Sequence, residues 1–117
     1  MNNLQKISEL LAGEGRTIIY GKPTSAAEGN VIALSIGDGD NAVRTLGDGY
    51  AAMYTTVNID VYCSDYSAGY DLLLAVRGEI QSALKSTVGI VFLRFLASEY
   101  DEQLERHVLK SQYRITE

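Results

Sequence analysis

Met53-Tyr54-Thr55-Thr56-Val57-Asn58-Ile59-Asp60-Val61-Tyr62-Cys63 is the stretch on which the reading of the fold turns. Val57, Ile59, Val61 and Cys63 fall on one side of an extended chain, and Thr56, Asn58, Asp60 and Tyr62 on the other. Strict alternation of this kind belongs to a strand with one face in a core. Directly after it, Ser64-Asp65-Tyr66-Ser67 supplies side chains able to cap a helix. Leu73, Val76, Ile80 and Leu84 then recur at helical spacing, with Arg77, Glu79, Gln81 and Lys85 set apart from them. Asp71 in the first turn and Lys85 in the last suit the helix dipole. A long helix is expected over 67–85.

Working outward toward the N-terminus, Leu4, Ile7 and Leu11 mark one face of a short helix over 3–12, with Lys6 and Glu9 opposite and Gly13 as its stop. Arg16-Thr17-Ile18-Ile19-Tyr20 is β-branched and aromatic and is closed by Gly21 and the single proline, Pro23. Thr24–Gly29 reads as a loop, and Asn30–Ile36 as a second strand. Between Gly37 and Tyr50, Gly37-Asp38-Gly39 is echoed by Gly47-Asp48-Gly49, and the copies bracket Ala42–Leu46, a short strand or an extended piece. Asp-Gly steps suit tight turns, and four glycines make 37–50 the expected mobile assembly loop.

Toward the C-terminus, Ile90–Leu96 is apolar on both faces except at Arg94. Such a strand is buried on both sides or covered by another subunit. Simple alternation puts Ile90, Phe92, Arg94 and Leu96 on one face and Val91, Leu93 and Phe95 on the other. Glu99, Asp101 and Glu102 read as an acidic loop. In the tail, Tyr100, Leu104 and Val108 fit a helix, whereas the longer alternation of His107, Leu109, Ser111, Tyr113 and Ile115 favours a strand. The expected fold is a single α+β domain over 1–117. Its mostly antiparallel sheet has four to five strands packed against two helices, in the order α-β-β-β-α-β-β.

Composition limits what such a domain can do. At 117 residues, 46% hydrophobic and 21% charged, the chain is neither disordered nor collagen-like. A net charge of −5 opposes non-specific binding to nucleic acid. One cysteine, Cys63, forms no internal disulfide framework and suits a reducing compartment. The first residues lack the layout of a signal peptide, and no apolar run approaches a membrane span. A small, soluble, cytoplasmic protein is expected.

The candidate chemistry is thin. Gly37-Asp38-Gly39-Asp40-Asn41-Ala42 matches a dinucleotide-binding turn formally. It opens no helix that could hold a pyrophosphate, and its aspartates would repel one. Asp38, Asp40 and Asn41 hint at a calcium loop, but Val43 and Gly49 stand where glycine and glutamate are needed. Cys63, His107 and Asp60 could in principle be nucleophile, base and orienter. Cys63 lies on the apolar face of its strand, where a free cysteine usually packs as a small hydrophobe. His107 is the only histidine, too few for zinc. No catalytic residue, cofactor or metal is expected.

Tyrosine is the unusual residue, at eight against two Phe and no Trp, with Tyr50, Tyr54, Tyr62, Tyr66 and Tyr70 clustered around the best strand. Tyrosines are enriched where proteins meet. Together with Arg94 in its apolar strand, they point to a protein that assembles. Tyr54, Asp60, Tyr62 and Arg94 are the candidate interface residues.

The order of elements, with Ile19-Tyr20-Gly21-Lys22-Pro23, the strand Val57–Cys63 running into the helix of Leu73, Val76 and Leu84, and Glu105–Lys110 with Tyr113-Arg114-Ile115 at the end, resembles the tail-completion (tail-terminator) proteins of long-tailed bacteriophages and prophages. The resemblance spans nearly the whole chain. It implies a virion protein, made in the host cytoplasm, that forms a homo-hexameric ring at the head-proximal end of the tail. The ring stops tube growth and meets tail-tube and head-completion proteins. It also implies an acidic lumen, for which Asp38, Asp40, Asp48, Glu99, Asp101 and Glu102 are the candidates, and it carries over no catalytic residue. The doubled Gly-Asp-Gly segment matches no feature of that family. Another neck or connector component, or a small bacterial binding or regulatory module, are the alternatives; an enzyme is not expected.

Overall fold

The computed structural model describes residues 3–13, 16–23, 30–36, 42–46, 50–84 and 90–116, and the side chains of all these except 3, 42–46, 50–55, 83, 84 and 116. Its elements are α1 (Asn3–Leu11), β1 (Thr17–Tyr20), β2 (Val31–Ile36), β3 (Ala42–Leu46), β4 (Tyr50–Cys63), α2 (Tyr66–Leu84), β5 (Ile90–Asp101) and β6 (Arg106–Thr116). The α+β fold is as expected, and the sheet is mostly antiparallel. Among the described residues it has six strands rather than four or five: Ala42–Leu46 is a strand, so the order becomes α-β-β-β-β-α-β-β.

The strands lie side by side as β1-β2-β4-β6-β5, with β3 against β4; β1 and β2 run parallel and the other pairs antiparallel. β4 is the spine. Its residues Val57–Tyr62 pair with β2 on one edge, and Tyr54–Cys63 pair with β6 on the other. Tyr50–Met53 run on beyond both and, among the described residues, pair with β3 alone. The molecule is accordingly long, 51 × 26 × 23 Å.

Both helices pack on one face of the sheet. Ile7 and Leu11 of α1 and Leu73, Val76 and Ile80 of α2 are buried against Ile32, Leu34, Val57, Ile59, Val61, Cys63, Leu109, Tyr113 and Ile115. Each such aliphatic side chain contributes about 1.5–3 kcal/mol by leaving water. The Asp65 carboxylate accepts from Ser67 N at 3.1 Å and so caps α2. The two helices are tied by Arg16, whose guanidinium donates to both carboxylate oxygens of Glu79 at 2.6 and 2.7 Å and to the Leu11 carbonyl at 3.3 Å. That hydrogen-bonded pairing holds the Glu79 carboxyl below its ordinary range.

β5 departs from simple alternation. Its pairing with β6 slips between Phe92 and Arg94 and again between Leu96 and Glu99. The first slip returns Phe95 to the same side as Phe92, where both rings pack on the main core and beneath the Arg77 guanidinium, 5.0 and 5.6 Å from their centroids. The assignment of Phe92 and Phe95 to opposite faces is thus corrected; a bulge adds a residue that composition cannot reveal. Nor is the strand buried on both sides within this chain, since Val91 is 46% and Leu96 37% exposed.

Candidate functional site

The face of the sheet away from the helices carries the site. Across β2, β4 and β6 it presents Val31, Ala33 and Ser35, then Asn58, Asp60 and Tyr62, then Val108, Lys110 and Gln112. One end is closed by the β5–β6 turn. There Asp101 Oδ1 accepts from Leu104 N at 3.0 Å, Glu105 takes a φ of 53°, and Leu104 is buried against Val31, Ala33, Tyr62 and Val108. The expectation that Tyr62 lies on an outward face holds for its direction but not its burial: it is 7% exposed, covered by this turn.

Beside that small cluster opens a cavity of about 400 Å³ lined by Lys22, Asp60, Tyr62, Glu99, Tyr100, Asp101, Glu102, Gln103, Val108 and Lys110. Lys110 Nζ pairs with Glu99 Oε1 at 3.1 Å, and Lys22 Nζ with Asp101 Oδ2 at 3.3 Å. Asp60 stands opposite Lys110 in the ladder, yet makes no ion pair of its own among the described residues. Burial, with the Glu99 charge added, outweighs the Lys110 ammonium and pushes the Asp60 carboxyl up to about 6. Burial and the charges of Asp60, Asp101 and Glu99 likewise raise the Tyr62 hydroxyl. Asp101 is held low, first by the Leu104 N–H and also by Lys22. Among the described residues, no group of three or more His, Cys, Asp or Glu side chains is placed to hold a metal ion.

The structure therefore brings together residues nominated for different reasons: Asp60 and Tyr62 as interface, and Glu99, Asp101 and Glu102 as lumen acids. Glu99 and Asp101 are not loop acids, because β5 runs through Asp101 and both are ion-paired; the turn begins at Glu102. Arg94 is exposed on the same face of β5, opposite Gln112 and outside the cavity. Tyr54 pairs with Ala42 and Thr116, and its side chain lies outside the described residues. Gly37, Asp38, Gly39, Asp40, Gly47, Asp48 and Gly49 lie outside them altogether; of the expected mobile loop over 37–50, the described residues are β3 and Tyr50, the first residue of β4. Lys22, Tyr100, Gln103 and Lys110 were not singled out from the sequence. Only register places Lys110 opposite Asp60.

Cys63 is fully buried, and its Sγ lies 3.8 Å from the His107 carbonyl oxygen. Burial pushes the thiol up, the reverse of what a nucleophile needs. The His107 ring instead packs edge-on against Tyr66 and Tyr100. Among the described residues, no helix is long and apolar enough to cross a membrane.

No protein-family model matches the chain, and no curated protein matches it. Among solved structures it is similar to a chain from the virion of a native gene transfer agent particle, with a TM-score of 0.63 and 18% identity. The match covers 94% of this chain and 82% of that one. At that identity the likeness shows a shared fold.

Proposed function

We propose that the protein is a structural component of a tailed, phage-like particle. In this reading copies of it close into a six-membered ring on the head-proximal end of the tail tube. The ring ends tube growth and offers the surface on which the head is joined. The role is structural, not catalytic, and its partners are further copies of the chain, the tail tube and the head-completion proteins.

The observation that carries this reading is the fold shared over 94% of the chain with a chain of a virion. The resemblance of its element order to tail-completion proteins points the same way. So does the exposure of Val91 and Leu96 on a β5 face that a neighbouring subunit would cover.

Deleting the gene from the host that carries it and imaging the particles by electron microscopy tests the reading. Headless tails of uncontrolled length are the expected result. Tails of normal length that fail to join heads would instead favour another neck component. Complete, infectious or transducing particles lacking the protein would overturn both.

A further inference from the structure

Among the described residues, eight large apolar side chains stand exposed, and six of them belong to α2 and β5. They fall into two patches on opposite sides of the sheet. On the helix side, Tyr66, Tyr70 and Leu74 recur every four residues along α2, exposed by 46%, 41% and 37%. The rings are held from the sheet: Tyr70 packs on Phe95, and Tyr66 on His107, which Tyr100 of β5 also touches. On the far side, Val91, Arg94 and Leu96 pair in the ladder with Arg114, Gln112 and Lys110, and all three are exposed. Contiguous apolar patches left open in this way mark surfaces where proteins meet.

The two patches carry opposite charge. Arg94 sits within the β5 patch. On α2, Asp71 follows Tyr70 and lies one helical turn from Leu74, on the outer edge of the stripe. Both charged side chains are exposed, and neither enters an ion pair among the described residues. Asp65, whose carboxylate caps α2, adds a second negative charge at the start of the stripe. Arg77, also on α2, is turned in over the Phe92 and Phe95 rings.

We propose that a second copy of this chain covers these patches, Val91, Arg94 and Leu96 of one copy lying on Tyr66, Tyr70 and Leu74 of the next, with Arg94 meeting Asp71. Each patch finds its complement, apolar side chains together with the opposite charge, in the other patch of the same chain. Because the two face opposite sides of the sheet, a single copy cannot bring them together and a second one can. Arginine and tyrosine are the residues interfaces favour, and a guanidinium can stack on a tyrosine ring while pairing with a carboxylate. Contact between two different patches is head to tail, the kind that makes a ring when the rotation closes. The inference rests on the reading of the chain as a ring-forming protein and names the surfaces by which copies would join.

Arg94→Glu and Asp71→Arg, each followed by sedimentation and native mass beside wild type, test it. Wild type should associate. Either reversal alone sets like charges against each other across the contact, which is strongly unfavourable, and should weaken association at least tenfold. An equimolar mixture of the two variants should associate as wild type does, since copies that alternate pair opposite charges at every contact. Both positions are exposed, so the thermal melts of the variants should match that of wild type. If one does not, Leu96→Ser probes the same surface, with a tenfold loss expected and unchanged association overturning the proposal.

Wild type that associates regardless of either reversal, or a mixture that stays as dissociated as its components, overturns this interface and leaves the ring reading standing. Wild type that remains a single copy at the highest soluble concentration overturns both.

Discussion

Asp60 works against folding at neutral pH. Burial raises its carboxyl from 3.8 to about 6, so the folded chain holds this proton more tightly than the unfolded chain does. Between those values the unfolded state binds fewer protons, and the contribution of this group to stability falls as pH rises from about 4 to about 6. Glu79, held low by Arg16, slopes the other way, with stability lost as pH falls below its ordinary range. The Asp60 effect is therefore read as a difference between proteins. Asp60→Asn should stabilise by about 1–2 kcal/mol at pH 7, allowing for partial screening, and by almost nothing near pH 4. Thermal melts of both proteins at the two pH values check this, and equal shifts at both would contradict it. Tyr113 offers a second test. Its hydroxyl is buried with no partner within hydrogen-bond geometry; Ser111 Oγ, close to it, donates to the Ile59 carbonyl at 2.7 Å. Tyr113→Phe should stabilise by about 1 kcal/mol in urea unfolding; a loss of that size would show that the hydroxyl does find a partner. Asp60 was legible in the sequence, as a lone acid on an otherwise well-formed strand. Its surroundings were not, since Lys110 and Glu99 meet it only once β6 and β5 take their register.

At the level of elements, α2 is packed closely on the end of β4 where the chain turns between them. A Cβ at Gly69 would run into the Sγ of Cys63 and lie 2.8 Å from its Cβ. Alanine is favoured over glycine in a helix by about 1 kcal/mol, but overpacking of this kind costs about 1–3 kcal/mol and has no flexible side-chain end to yield. Gly69→Ala should therefore destabilise on balance, and Cys63→Ala in the same chain should recover part of the loss. Denaturant midpoints of the two single variants and the double variant measure it; simple additivity would place the strain elsewhere. The period-2 run of β4 and the helical spacing of α2 were plain because each has one buried face. β5 was harder. Six apolar residues in a run of seven fit a two-sided strand equally well with or without a bulge, and the slip at Phe92–Arg94 follows from packing Phe92 and Phe95 together under Arg77. β3 was left open because five residues between Gly-Asp-Gly copies carry little periodicity of their own; pairing with Tyr50–Tyr54 makes them a strand. The acids of β5 misled for a related reason, since charge alone suggested a loop where Lys22 and Lys110 provide ion partners.

On the scale of the whole molecule, among the described residues the sheet has one face covered by helices and the other covered at one end by Leu104. Its edges discourage strand-to-strand association: β1 has four residues, and the twelve of β5 are broken by two bulges. In the proposed assembly, contacts between copies should therefore use the exposed face of β5 rather than an extended ladder. Composition already disfavoured non-specific nucleic-acid binding and a membrane span, and the alternation of β4 gave away an α+β sheet. The proposed partners rest on resemblance, because an interface has no period and its residues are drawn from several strands. The mass of the purified protein under native conditions, followed across concentration, tests the central claim of self-assembly most directly. A closed oligomer of six copies, with no ladder of larger species, is the expected result. A single-copy mass up to the highest soluble concentration would contradict it.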